Sequence, residues 1–551
     1  MTTTGEPRAR GARVEQPSAM ALTSRRKKLV LGICCVSLFM NYLDSTILNV
    51  ALPALQKVFH ADEAQLQWIV DSFLLVLTCF LILAGTLADR LGRRSVLVTG
   101  LAVFTIGSIG CSLSGSADEL IVARVFAGLG GCMLVPTTLS IIRNTFTERA
   151  DLARAIGVWS GVYGVACACG PILGGFLVDT TGWRSIFYVN IPVGLVGIYF
   201  AFRYIPESTA TRARRVDVPG QLFIIAILFT LVLTIIEAPS YGWTSTFVAG
   251  GFGLTLLLLV PFLYIESQTQ EPLFEIHFFK NPAFAGANFI ALVTFILMSG
   301  FLFLNTIYLQ QVRELSALQA GIFTLPLMIA ITVCAPISGR YMSRHGPRMA
   351  MVFSSLFVGS AYVMLLFTHA RTSSLYLCVA YVSLGAGLGS VNPTLTHTSV
   401  SSMPAEQGGV ASAITSTSRQ IGSALGVAVL GSLVVTSFTA TISPRLSAAG
   451  LSRSLNHQVT SAGISSLSSS YGPATAAVRS IAQASYSDSL HVAWWIGVCL
   501  SFLWFCVALR ASTPSALAGS QMNGDRVESM RSLSDRLTTT DNSKATRKIT
   551  R

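Results

Sequence analysis

Fourteen apolar runs, each close to the ~20 residues a helix needs to cross a ~30 Å hydrocarbon layer, follow one another along this chain with mostly short polar breaks. Nothing else constrains the fold as strongly. A backbone in lipid finds no water, so every spanning segment must satisfy its own N–H and C=O groups, which leaves helices or a closed barrel. The runs lack the alternation of barrel strands. They read as helices over 29–53, 66–88, 95–115, 119–142, 153–178, 184–204, 219–237, 245–266, 283–308, 318–338, 348–368, 375–396, 408–434 and 490–510. With 52% hydrophobic and 11% charged residues in 551, the chain is expected to be an all-α integral membrane protein.

The net charge of +13 sits in particular loops rather than on one soluble face, so it does not mark a nucleic-acid partner. Arg90, Arg93 and Arg94, then Arg143, Arg149 and Arg154, then Arg203, Arg212, Arg214 and Arg215, then Arg340, Arg344 and Arg348 fall in alternate loops. The other loops carry little beyond Lys57, Arg184, Arg313 and Arg371. The positive-inside rule then puts the arginine-rich loops and both termini in the cytoplasm of a multi-pass cell-membrane protein. "SRRKK" at 24–28 opens the first span without a small-residue cleavage site after it, so it reads as the retained start of that span. The tails 1–28 and 511–551 are polar and expected to be disordered, and 437–489, rich in Ser, Ala and Gly, is expected to form a long outer loop. The eleven cysteines fall within spans as small hydrophobes, with no disulfide expected and no metal partner beside Cys167 and Cys169.

Two internal repeats are legible. "GTLADRLGRR" at 85–94 aligns with "GRYMSRHGPR" at 339–348, and "GLGGCMLVPT" at 128–137 with "GAGLGSVNPT" at 385–394, at nearly one offset. They pair span two with ten and span four with twelve. The chain therefore divides as 6+2+6: an N-terminal half over 29–204, two inserted helices and linkers over 205–282, and a C-terminal half over 283–510. An even offset keeps both copies in one orientation, the plan of a transporter whose halves rock about a central cavity.

From about residue 30 to 510 the chain resembles the major facilitator superfamily, specifically its fourteen-helix drug:proton antiporters. The residues that carry the likeness are "LDSTILNVALP" at 43–53, "GTLADRLGRRSVL" at 85–97, "GPILGGFLVDTTGWRSIFYVNIPVG" at 170–194 and "STSRQIGSALGVAVLG" at 416–431. The resemblance implies a major facilitator fold and a latch in the loop of Gly85, Asp89, Arg90, Gly92 and Arg93, where Asp89 pairs with cations across the two halves. It also implies that the fifth span is an antiporter helix marking export rather than uptake. Independently of that likeness, Gly164, Gly170, Gly174 and Gly175 allow close helix approach there, and Pro171 removes one backbone bond, which suits a hinge.

Asp44 lies about fifteen residues, or ~22 Å, into the first span, where an ionisable group by default faces a cavity or a partner. It is the first candidate for the coupling proton or a cationic substrate. Arg124 in span four is the second intramembrane ion and resembles the family's buried arginine of that helix, with Ala127 where a glutamine is usual. Asp71, near the outer end of span two, reads either as solvated at the mouth or as a substrate contact. Arg419 in span thirteen reads as structural. Phe73, Phe126, Tyr163, Phe303 and Met328 are candidates for an apolar pocket wall.

There is no Gly-Lys pair for a nucleotide-binding loop and no H-E-x-x-H among the seven histidines. The reading is a non-enzymatic, cofactor-free exporter of small amphipathic compounds, cationic or aromatic ones included. It is driven by the proton gradient, surrounded by membrane lipids and functional as a monomer. A proton-coupled uptake symporter and a membrane receptor or lipid-handling protein stay open as alternatives.

Overall fold

The computed structural model describes residues 24–209, 217–269, 272, 276–369, 372–403, 408–448 and 474–510. Residues 1–23 and 511–551 of the two tails, Arg212, Arg214, Arg215, Arg371 and the centre of the expected outer loop lie outside the described residues, whereas 24–28, expected to belong to the disordered N-terminal tail, already form the start of the first helix. The helices of the first half are α1 (Ser24–Phe59), α2 (Glu63–Leu91), α3 (Arg93–Leu113), α4 (Ala117–Thr145), α5 (Arg149–Thr181), α6 (Ser185–Tyr188) and α7 (Asn190–Tyr204). The inserted pair is α8 (Val218–Tyr241) and α9 (Thr246–Gln268). The second half consists of α10 (Pro282–Ile307), α11 (Ala317–His345), α12 (Pro347–Leu365), α13 (Ser374–Ser401), α14 (Gly408–Ala448) and α15 (Ala474–Arg510). Counting α6 and α7 as one span, 14 helices among the described residues are long and apolar enough to cross a membrane.

The expected outer loop over 437–489 is corrected at both ends, since α14 continues to Ala448 and α15 already begins at Ala474. These segments look like loop because they are rich in Ser, Ala and Thr. Yet Phe438, Ile442 and Leu446 recur every four residues, as do Val478, Ala482 and Tyr486, and all six are buried. Arg445 and Asp488 close an ion pair of 2.6 Å between the two extensions.

The internal repeat has a packing meaning. A Cβ on Gly130 of α4 would lie 2.3 Å from the Phe104 nitrogen of α3, and one on its repeat mate Gly387 of α13 would lie 2.7 Å from the Ser354 carbonyl oxygen of α12. On the neighbouring face, Gly128 abuts the Phe73 carbonyl of α2, and its mate Gly385 abuts the Leu327 carbonyl of α11. Small residues let the backbones approach, and the same two contacts recur in both halves.

The halves meet along two seams, α5 with α11 and α2 with α14. The inserted pair lies over the second seam. Trp68 of α2 donates to Glu237 of α8 at 3.1 Å, Gln221 of α8 donates to the Cys79 carbonyl of α2 at 2.6 Å, and Trp243 beyond α8 donates to Thr436 of α14 at 2.8 Å.

Contacts across the seams gather at the end away from the arginine-rich loops. There Gln310 donates to the Val50 carbonyl at 2.8 Å, Gln311 to Gln56 at 2.6 Å, and Ser432 to Gln67 at 3.0 Å. A Cβ on Gly321 of α11 would stand 2.1 Å from the Pro171 carbonyl oxygen of α5. Further along the same helices towards the arginines, Gly164 rests on Thr332. Beyond it a Cβ on Gly157, Gly161 or Gly339 would meet nothing within 4 Å. The first seam is thus shut at the far end and splayed at the arginine-rich end.

Replacing Gly321 by Val puts branched carbon where no room exists, a type of overpacking that costs ~1–3 kcal/mol. The far ends of α5 and α11 should move apart, and a spin-label distance between Phe176→Cys and Ile322→Cys should lengthen. An unchanged distance distribution would show that another contact shuts this seam.

Candidate functional site

Asp44 and Arg124 are each 1% exposed and joined by a direct hydrogen bond from Arg124 Nη1 to Asp44 Oδ2. Arg124 Nε donates to the Ile69 carbonyl of α2 at 3.2 Å, and its guanidinium lies 4.3 Å from the centre of the Phe73 ring. Asn190, the first residue of α7, donates to Asp44 Oδ1 at 2.9 Å and stands 3.4 Å from Ser108 Oγ of α3. One carboxylate thereby ties together α1, α2, α3, α4 and α7. Asp44 and Arg124 are both sequence candidates, and the fold brings them together. The seat that a cationic substrate would take on Asp44 is held by Arg124, inside the first half rather than in the space between halves. Asn190 escaped the sequence reading although it stands inside the quoted "FYVNIPVG", where a lone amide in an apolar run was the available signal.

Asp71 is different. It stands one turn beyond Gln67 on the same face of α2, and Gln67 meets α14. Of its two readings, solvation at the mouth is not met in this conformation: Asp71 is 0% exposed, with the far end of the seam shut above it. Among the described residues, neither of its oxygens has a hydrogen-bond partner.

Between α1, α5, α10 and α11 lies a small cleft bounded by Thr46, Asn49, Pro171, Asn305, Thr324 and Met328. Of the four apolar candidates whose side chains are described, only Met328 lines it. Phe73 lies under Arg124 in the first half, Phe303 is buried in the second, and Phe126 is 52% exposed on the outer surface. The side chain of Tyr163 is outside the described residues. Arg419 donates to Thr396 at 2.6 Å and is within 6.0 Å of the Phe295 ring centre, joining α14 to α13 and α10.

In the loop after α2, Asp89 bonds Arg93 at 3.0 Å, four residues on. That partner belongs to its own half; a cross-half partner of the kind the resemblance implies is not seen for Asp89 among the described residues. Arg90 is exposed, and Gly85 rests on Pro136 at an ordinary 3.5 Å. Gly92 has φ +109°, a backbone region that only glycine enters easily, and a Cβ there would lie 2.5 Å from Glu207 Oε1. Glu207, absent from the sequence candidates, accepts from the backbone N–H groups of Arg94 at 3.0 Å and Ser95 at 3.1 Å and from Ser95 Oγ. It caps the N-terminus of α3. Partial burial pushes its carboxyl up, but those hydrogen bonds outweigh burial and hold it below the ordinary glutamate value.

The glycines of α5 face two ways. Cβ atoms on Gly170 and Gly174 would press on Thr46 and Ile47 of α1, whereas Gly175 abuts Ala317 and Leu318 of α11 and Gly164 abuts Thr332. Helix α5 runs unbroken through Pro171, whose carbonyl meets Gly321.

Residues 34–427 match the family model described as Major Facilitator Superfamily. The multidrug resistance protein Stp of Mycobacterium tuberculosis is 36% identical over 423 residues, covering 77% of this chain and 79% of the relative. The tetracenomycin C resistance and export protein of Streptomyces glaucescens is 37% identical, covering 76% of this chain and 78% of the relative. Among solved structures, an inward-facing, unoccupied bacterial homolog of the human lysosomal transporter Spinster superposes with a TM-score of 0.63 at 17% identity. That match covers 90% of this chain and all of that one, and it speaks to the fold.

Two outcomes follow from this geometry. Arg124→Ala leaves Asp44 buried without its cation and should cost ~3–5 kcal/mol, while Asp44→Asn combined with Arg124→Gln removes both charges and should recover most of that loss. Thermal unfolding in detergent checks the cycle, and additive losses would mean that the pair is not coupled. For Glu207, a lowered carboxyl stabilises the α3 cap above the ordinary glutamate range and loses that contribution as pH falls through the lowered value. Amide exchange at Arg94 and Ser95 should therefore quicken only in distinctly acid solution in the native chain, and at every pH in Glu207→Ala.

Proposed function

Because the chain belongs to the major facilitator superfamily, whose members are membrane transporters rather than enzymes, we propose that it exports amphipathic drugs or antibiotics in exchange for protons, by alternating access. The arginine-rich end then faces the cytoplasm, both termini lie there, and the conformation described is closed to the outside. The cleft between α1, α5, α10 and α11 is the substrate path. The printed functions of Stp and the tetracenomycin exporter support drugs or antibiotics as cargo. The quoted fifth-span motif supports export over uptake.

The observation that carries proton coupling is Asp71. A bare carboxylate with no hydrogen-bond partner is costly to bury in a hydrocarbon-like interior, by several kcal/mol, and a proton removes that cost. Asp71 stands on the seam that must open towards the outside. A substrate leaves from the outward-open state, Asp71 takes a proton from the outer medium, and only then does the seam close over it. Reopening to the cytoplasm and loading of the next substrate release the proton inside. Asp44, answered by Arg124 and Asn190, keeps the first half rigid during this exchange and carries charge rather than cargo.

The outward-closed state binds more protons in this cycle, so lower pH favours it. In Asp71→Asn the seam closes without a proton. Substrate-driven proton release in detergent should vanish, and uphill accumulation of a fluorescent cationic dye in everted proteoliposomes should fall about tenfold or more, with equilibrium binding retained. Undiminished uphill transport with proton release intact in Asp71→Asn would move the proton elsewhere, and Asp44→Asn in the same assay shows whether it belongs there.

A further inference from the structure

Asp179 stands near the C-terminal end of α5, in the first half, yet its hydrogen bonds go to the second. Its Oδ2 accepts from Ser316 Oγ at 2.8 Å and from the Leu318 backbone N–H at 2.9 Å. Ser316 is the N-cap of α11, and Leu318 offers one of the amides that a helix start leaves without an internal partner. The carboxylate therefore answers both an orphan N–H and the positive end of the helix dipole. One turn earlier on α5, Gly175 brings the two backbones together: a Cβ there would lie 2.5 Å from both the Ala317 carbonyl oxygen and the Leu318 Cα. A side chain at that position would hold Asp179 out of reach of the helix start. Glu207 makes the same kind of cap on α3, but from the linker directly after α7 of the same half, so a rocking of the halves does not pull it away.

We propose that Asp179 docked on the N-terminus of α11 is an outer latch, a carboxylate in one half capping a helix of the other, which holds the far end shut and must let go each time the transporter opens outward. This rests on the alternating-access reading above, but not on the identity of the cargo or on proton coupling. Hydrogen bonding and charge both contribute, so Asp179→Asn should weaken the latch and Asp179→Ala should abolish it. Asp179→Glu, one methylene longer at a fixed backbone gap, should fall between wild type and Ala.

The test is hydrogen exchange by mass spectrometry on the full chain in lipid nanodiscs, without substrate, for wild type, the three Asp179 variants and Gly321→Val. In Asp179→Ala the first turns of α11, around 317–322, should exchange about five- to tenfold faster, while the arginine-rich ends of α5 and α11 exchange more slowly as they come together. Asp179→Asn should show the same reciprocal pattern at smaller amplitude. Faster exchange confined to 317–320, with the arginine-rich ends unchanged, would reduce Asp179 to a local helix cap and overturn the latch. If Gly321→Val gives the reciprocal pattern and the Asp179 variants do not, the latch fails while alternating access stands. If none of the variants gives it, both fail. Asp179→Asn preserves side-chain volume, so the test stands even if Asp179→Ala does not fold.

Discussion

A charge in hydrocarbon has to be answered, and the answer to Asp44 organises the first half of this protein. Arg124 pairs with Asp44, and Asn190, the Ile69 carbonyl and the Phe73 ring converge on that ion pair, so that α2, α4 and α7 are fixed against α1. Breaking such a pair by removing one partner is far costlier than never having had it, so the network specifies an arrangement as much as it stabilises one. The offset that pairs Gly128 with Gly385 carries Arg124 onto Tyr381. In the second half that position holds no charge: the Tyr381 hydroxyl donates to Asn305, and its ring meets Phe301 edge-on at 5.4 Å. Two halves with one backbone plan thus differ in what sits at their centres, ionic in one and aromatic-amide in the other.

The division of labour between the two carboxyls follows from partners rather than from depth. Asp44 has a donor on each oxygen, whereas Asp71 has none among the described residues, and both are enclosed. A group that already has its counter-ion resists change. A group without one stays buried only on condition that something else neutralises it, and that condition makes it a natural place for coupling on a seam that opens and closes.

Much of this was legible in the sequence. The number of spans, the two inserted helices and the glycine repeat follow from apolar length and spacing, because lipid permits few alternatives to a helix. Asp44 and Arg124 stood out as ions where ions are expensive. Which way each side chain faces was far less legible. A soluble helix advertises its inner face by contrast with a polar one, but α2 and α4 are apolar on almost every face, so Phe126 of α4 on the lipid side and Phe73 of α2 in the core read alike. The helical extensions of α14 and α15 were missed because Ser- and Ala-rich composition was weighed above the four-residue recurrence of Phe438, Ile442 and Leu446. Glu207 was missed because its role depends on a turn at Gly92 that brings it over a helix start 112 residues away from it in sequence.

The inserted helices give the two seams unequal standing. Where α2 meets α14, α8 lies across the joint and is tied to α2 through Trp68, Glu237 and Gln221 and linked to α14 through Trp243, while the joint of α5 with α11 has no such cover. A pair of rigid blocks fastened in this way does not part like symmetrical jaws. It opens unevenly, like a door on a stiff hinge: widest between α5 and α11, where Gly157, Gly161 and Gly339 already look onto open space, and only as far along α2 and α14 as the strap of α8 allows.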